Sequence, residues 1–196
     1  MKDLVADGGN SVTLNGSILK MESLPLGEVF ALLERLDVLG IPWALSLDNT
    51  LIRYSPDERF ERLVDDGFME TQICPGSECR KARNIYKVHI ACIREEERRI
   101  DFGSLFAVRF SEACTFVEPD DKSRGIRFMM EQLQAPCSEV VVFGDGWNDL
   151  KMFQPEWFSV AMGNAVPPLK ERADFVTRDS DADGILYACR HFGWVD

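Results

Sequence analysis

The stretch from Val140 to Asp149, VVVFGDGWND, constrains what this chain can fold into more than any other segment. Its opening apolar run, Val140 to Phe143, reads as a strand buried on both faces, as in the middle of a parallel sheet. Gly144 and Gly146 then break the strand and set Asp145 and Asp149 across one turn. Glycine allows the backbone to turn sharply and to approach a ligand closely. Two carboxylates held this near repel unless a cation or a shared proton compensates. Hard oxygens at the mouth of an α/β sheet suit Mg²⁺, which binds through one or two carboxylates and keeps waters for a phosphate. Asn148 can orient a neighbouring carboxylate or a phosphate oxygen. A plain strand-to-helix turn capped by Asn148 or Asp149 uses the same residue types, but the whole string directly after VVVF is more specific than an Asp-Gly turn.

The residues around this string alternate between helix and strand. Ile126, Met129, Met130 and Leu133 share one helical face. A helix is expected around Leu150 to Phe153, a second apolar strand over Phe158 to Met162, and a third over Phe175 to Thr177. Pro167 and Pro168 fit the first turn of a helix, where a missing N–H costs nothing. A final helix is expected from Ile185 to Phe192. Such alternation means βαβ units and a parallel sheet, with ligands bound beyond the carboxyl ends of its strands. GDGWND stands at one of those ends.

The middle of the chain has another pattern. Val29, Phe30, Leu32, Leu33, Leu36 and Leu39 form an amphipathic helix stopped by Gly40 and Pro42. Strand character follows over Trp43 to Tyr54, Tyr86 to Ile93 and Leu105 to Val117, with Arg94 to Arg99 as a solvated helix face. This predicts a separate α+β module. The expected organisation is a core segment over 1–18, the module over 19–113 and the rest of the core over 114–196.

Composition narrows the function classes. A net charge of -11 argues against nucleic-acid binding, which needs a basic face, yet a bound cation can still recruit small phosphates. The first residues lack the apolar core of a signal peptide, and no apolar run reaches the length of a membrane span. The six cysteines follow no zinc or disulfide spacing and read as reduced thiols. A cytoplasmic protein that binds neither membrane nor nucleic acid is expected.

The strings VVVFGDGWNDLKMF, VAMGNAVPPLKERADFVT and DADG resemble the C-terminal signature of the haloacid-dehalogenase (HAD) superfamily, most closely its Cof-type sugar-phosphate phosphatases. The resemblance implies a Mg²⁺-dependent phosphohydrolase with a Rossmann-like α/β core and an inserted cap. It implies that Asp145 is a metal ligand, Asp149 a second carboxylate linked to the metal, Asn148 a positioning residue, and Asn164 of MGNA a neighbour of the phosphate. The family also has a lysine upstream that balances charge on nucleophile and phosphate. Lys122 and Arg124, in DDKSRGIRF, both qualify by position. Lys122 is favoured, because arginine offers a fork rather than a point donor and cannot easily be neutral. Either can instead be a solvated cation at a helix start.

One part of the family pattern does not occur in these residues. The family attacks phosphate with the first aspartate of a DxDGT motif on the central strand, and no such string stands at the chain start. The opening segment LVADGGNSVTLNGSIL resembles instead the family's IxSNGA segment just before the cap, with Gly8 where that pattern has Asn. Ser46-Leu47-Asp48-Asn49-Thr50-Leu51 looks like a DxDNTL loop with Ser46 as nucleophile, but it lies where a cap strand is expected. His89 and His191 follow no catalytic spacing. The expectation is therefore a fragment of a longer phosphatase, the other routes being a partner chain that completes the sheet or an adapted fold. The expected reaction is hydrolysis of a small phosphomonoester, such as a sugar phosphate, through an aspartyl-phosphate. The rivals are a non-catalytic Mg²⁺ and phosphate-binding module and a phosphomannomutase-like phosphoryl transferase.

Overall fold

The computed structural model describes residues 2–196. These form two compact units. The first runs to Lys20 and resumes over Asp120–Asp196; the second is Met21–Pro119.

The first unit opens with β1 (Leu4–Ala6), β2 (Ser11–Leu14) and β3 (Ser17–Met21), which make a three-stranded sheet in that order. The strands β1 and β2 pair antiparallel across the turn at Asp7–Gly9.

The second unit begins with α1 (Leu26–Leu39). Val29, Leu32, Leu33 and Leu36 recur at helical spacing and are fully buried, while Gly40 closes the helix with its N–H on the Asp37 carbonyl. The chain continues through β4 (Trp43–Ser46), β5 (Ile52–Ser55), α2 (Arg59–Leu63), β6 (Glu70–Ile73), α3 (Gly76–Cys79), β7 (Lys87–Ala91), α4 (Arg94–Glu97), β8 (Ala107–Arg109) and β9 (Cys114–Val117). The six strands form one sheet in the order β6-β5-β4-β7-β9-β8. All neighbours pair antiparallel except β5 with β6. One face of the sheet, carrying Trp43, Leu45, Val88, Ile90 and Val117, packs in the same core as the buried side of α1. The other face gathers Ala44, Ala91, Cys114 and Phe116 with Phe60 and Val64.

The expected boundary at 113/114 falls within this sheet. Cys114 to Val117 pairs with both β7 and β8, and leaving either pairing would expose ladder donors and acceptors. The strand therefore belongs to the second unit, and the division lies between Pro119 and Asp120. At the other side the division falls at Lys20 rather than after residue 18, within β3.

The first unit resumes with α5 (Lys122–Leu133), β10 (Val141–Gly144), β11 (Phe158–Ala161), α6 (Pro167–Arg172), β12 (Phe175–Val176) and α7 (Gly184–His191). The strands β10, β11 and β12 form a parallel sheet in that order. Its core holds Val142, Met152, Phe153, Trp157, Ala161, Met162 and Leu169. Among the described residues, the second edge of β10 pairs with no strand, and Val141 there is 36% exposed.

The helix expected around Leu150 to Phe153 is not formed. Trp147–Asp149 makes a single 3-10 turn, and the chain then loops to β11. Two features account for this. The indole N–H of Trp157 takes the Met152 carbonyl at 2.8 Å, an acceptor that a continuing helix would need. Pro155 further disfavours helical backbone at Gln154.

Candidate metal and phosphate site

The first unit brings together four of the five site residues read from the sequence. Lys122 begins α5, Asp145 and Asp149 lie in the loop after β10, and Asn164 lies in the turn after β11. Lys122 Nζ donates to Asp149 Oδ1 at 2.6 Å. The other oxygen, Oδ2, accepts the backbone N–H groups of Asp145 at 3.0 Å and Gly146 at 3.1 Å. Asp149 is only 6% exposed, so its charge is buried against three donors. Its carboxylate closes the loop on itself, with the Lys122 ammonium held at the edge.

Gly144 permits this closure. A Cβ at residue 144 would come within 2.8 Å of Asp149 Cβ and 2.9 Å of Phe153 Cε2. The glycine that ends the strand is thus required by close packing of the acidic loop.

Asp145 is placed differently. It is exposed, its carbonyl accepts the Val166 N–H at 3.0 Å, and its Oδ2 accepts the Asn164 side-chain amide at 3.3 Å. Asn164 therefore contacts the expected metal ligand. Asn148 is half-buried with its Oδ1 over Gly146, where a Cβ would come to 2.6 Å. No hydrogen bond among the described residues links Asn148 to the other four. Of the two upstream cations, Lys122 reaches the acidic loop, whereas Arg124 is exposed. Sequence reasoning missed the Ser180 backbone N–H, which donates to Asn164 Oδ1 at 2.8 Å; a backbone donor leaves no trace in residue type.

The donor set fits Mg²⁺ as part of a site. Asp145 offers an exposed hard-oxygen carboxylate, and Mg²⁺ takes one or two carboxylates and fills its octahedron with water and phosphate. Asp149, with both oxygens engaged, suits the task of fixing Lys122 and the loop amides. Among the described residues no three His, Cys, Asp or Glu side chains converge as a self-contained metal cage.

A second arrangement, in the six-stranded sheet of the second unit, is a core contact. Ser46 Oγ and His89 Nε2 are 2.9 Å apart. Burial lowers the His89 pKa to about 3, with the Arg53 and Lys87 charges adding and Asp66 opposing. His89 Nδ1 has no partner among the described residues to orient the ring. A base so weak cannot activate a serine near neutral pH. Asp48 meanwhile accepts the N–H of Thr50 at 3.0 Å, and the string holds the last residue of β4, Ser46, and the Leu47 to Leu51 link to β5.

Comparisons with known proteins bear on the family and the fold. The family model described as haloacid dehalogenase-like hydrolase matches residues 4–189. YkrA of Bacillus subtilis (strain 168), whose name marks it provisionally as a phosphatase, is 32% identical over 193 residues, covering 96% of this chain and 75% of YkrA. A crystal structure of a protein from Geobacillus kaustophilus HTA426 superimposes with a TM-score of 0.79 at 28% identity, covering 100% of this chain and 78% of that one. The HAD subclass IIB sugar phosphatase BT4131 superimposes with a TM-score of 0.79 at 24% identity, over 100% of this chain and 77% of its own, a likeness of fold.

Proposed function

The chain belongs to the haloacid dehalogenase-like hydrolase family, and from that membership we propose that it is part of a Mg²⁺-dependent phosphomonoester hydrolase acting on small phosphorylated metabolites, with sugar phosphates as the leading class. The observation that carries the reading is the pairing of Lys122 with Asp149 beside the exposed carboxylate of Asp145. This sets a fixed ammonium and an available carboxylate at the carboxyl end of a parallel strand, where α/β sheets bind ligands.

In this reading Asp145 holds the metal and Lys122 meets the phosphate. The bound ion would supply positive charge against the phosphoryl oxygens and so stabilise their charge in the transition state. Lys122 spends one N–H on Asp149 and retains others for a phosphate oxygen. Asp149 keeps that ammonium in place rather than leaving it on a mobile stem. Asn164 orients the Asp145 carboxylate.

Attack on phosphorus needs a nucleophile, which the family resemblance assigns to an aspartate on a strand of the parallel sheet. The second edge of β10 is where such a strand would pair. We place there a strand from outside these 196 residues, carried by the same polypeptide or by a partner chain. The second unit acts as the cap that selects the substrate. The substrate class draws on the sugar phosphatase named above and on the phosphoglycolate phosphatase of Archaeoglobus fulgidus, which is 38% identical over 72 residues, 37% of this chain and 32% of its own length. A cytoplasmic site of action without membrane or nucleic-acid partners completes the proposal; no helix among the described residues is long and apolar enough to cross a membrane.

A second reading, a Mg²⁺ and phosphate-binding module without turnover, draws on the lack of a DxDGT string in the sequence. Hydrolysis of p-nitrophenyl phosphate with and without Mg²⁺, by the polypeptide or complex that includes the nucleophile strand and beside its Asp145→Asn variant, separates the two. Mg²⁺-dependent turnover lost in the variant supports the hydrolase. Binding of phosphate without turnover supports the module.

A further inference from the structure

We infer that Asn164 is a positioning residue that transmits the placement of the 178–184 loop to the carboxylate of Asp145. The inference rests on the reading of Asp145 as the metal-binding carboxylate and adds a determinant outside the acidic loop.

The relay is continuous in hydrogen bonds. The Ser180 backbone N–H donates to Asn164 Oδ1 at 2.8 Å, and Asn164 Nδ2 donates to Asp145 Oδ2 at 3.3 Å. An amide with its oxygen fixed by a backbone donor has its NH₂ direction fixed as well, so it cannot flip toward solvent. The turn that carries Asn164 is itself tied to the acidic loop: the Met162 N–H takes the Gly144 carbonyl at 3.0 Å, and the Val166 N–H takes the Asp145 carbonyl at 3.0 Å. Asp145 is therefore gripped at its main chain and at one carboxylate oxygen by a single turn. Its Oδ1 is left for a ligand.

The far end of the relay is set by packing. The Gly163 N–H takes the Arg178 carbonyl at 2.9 Å. A Cβ at Gly163 would come within 2.2 Å of Asp179 Oδ1 and 2.7 Å of the Asp179 nitrogen. The glycine before Asn164 is what lets the 178–180 backbone come close enough for Ser180 to reach the amide. Partners of a metal ligand that hold its orientation are worth about 10–100-fold in metal affinity in characterised sites.

The test uses Mn²⁺ as a spectroscopic substitute for Mg²⁺. Electron paramagnetic resonance measures its affinity for the wild-type chain, Asn164→Ala and Gly163→Ala, and hydrogen exchange follows the Ser180 amide in the metal-free proteins. The relay predicts about tenfold weaker Mn²⁺ binding in Asn164→Ala, faster Ser180 exchange, and an unchanged urea midpoint. Gly163→Ala, which retains Asn164, should show the same two losses. Wild-type Mn²⁺ affinity in Asn164→Ala overturns the relay, as does weaker binding with Ser180 exchange unaltered. If the wild-type chain binds no Mn²⁺, the metal reading of Asp145 falls; Ser180 protection that survives Asn164→Ala then removes the relay independently.

Discussion

Lys122 Nζ lies 2.6 Å from Asp149 Oδ1, an ion pair that fastens the start of α5 to the loop after β10. The acceptor is 6% exposed, so the pair sits at the border of a buried site rather than on an open surface. Lys122→Ala leaves a buried carboxylate with only its two backbone donors, and such a loss costs about 2 kcal/mol. A lower urea midpoint with an unchanged slope is the expected result. A midpoint within error of wild type would mean that the pair does not hold the loop.

The two loop aspartates should respond unequally to the same substitution. Asp149→Asn turns one oxygen into a donor that must face either Lys122 or the amides of Asp145 and Gly146, at a cost of about 2–3 kcal/mol. Asp145 is exposed, and Asp145→Asn should change stability by less than about 0.5 kcal/mol. Thermal or urea denaturation of both variants decides this. Equal destabilisation would contradict the division of roles.

Gly144→Ala tests the packing beneath the site. The added methyl meets Asp149 Cβ at 2.8 Å and Phe153 Cε2 at 2.9 Å. Overpacking of this kind costs about 1–3 kcal/mol. Amide spectra should show perturbation confined to the loop from Asp145 to Phe153, and a chain as stable as wild type would show that the contact is easily relieved.

His89 gives the second unit a pH dependence with a defined sign. Its pKa is lowered by burial from 6.5 to about 3. Between these values the unfolded chain binds a proton that the folded chain refuses, so stability is full above pH 6.5 and falls as the pH drops toward 3. The slope attributable to this residue is about 1.4 kcal/mol per pH unit. Urea titrations followed through the buried Trp43 should show this slope, and His89→Gln should flatten it. An unchanged slope in the variant would assign the dependence to other groups.

Much of the architecture was legible because the patterns were local. The Leu26–Leu39 helix is spaced by its apolar residues and ended by Gly40, and Val141–Gly144 is an uninterrupted apolar strand before glycine. The allotment of Cys114 to Val117 was not legible, since strand character says nothing about which sheet a strand joins; its pairing with Lys87–Ala91 decides that. Where a helix was expected after Asp149, the chain makes a 3-10 turn and a loop in which the Trp157 indole takes the Met152 carbonyl, a side-chain use of a backbone acceptor that apolar spacing does not reveal. At the site, residue types marked Asp145, Asp149 and Lys122, and the geometry showed that Lys122 pairs with the buried Asp149 while Asp145 stays exposed. The Ser180 contribution is main-chain and carries no signature in sequence.

The central claim, that the acidic loop binds Mg²⁺ through Asp145, is tested most directly by a Mg²⁺ titration of the ¹⁵N-labelled chain observed by NMR. The account predicts saturable shifts concentrated at the amides of Gly144 to Asp149 and at Asn164, absent in Asp145→Asn. Shifts identical in the variant, or no response at these amides, would contradict it.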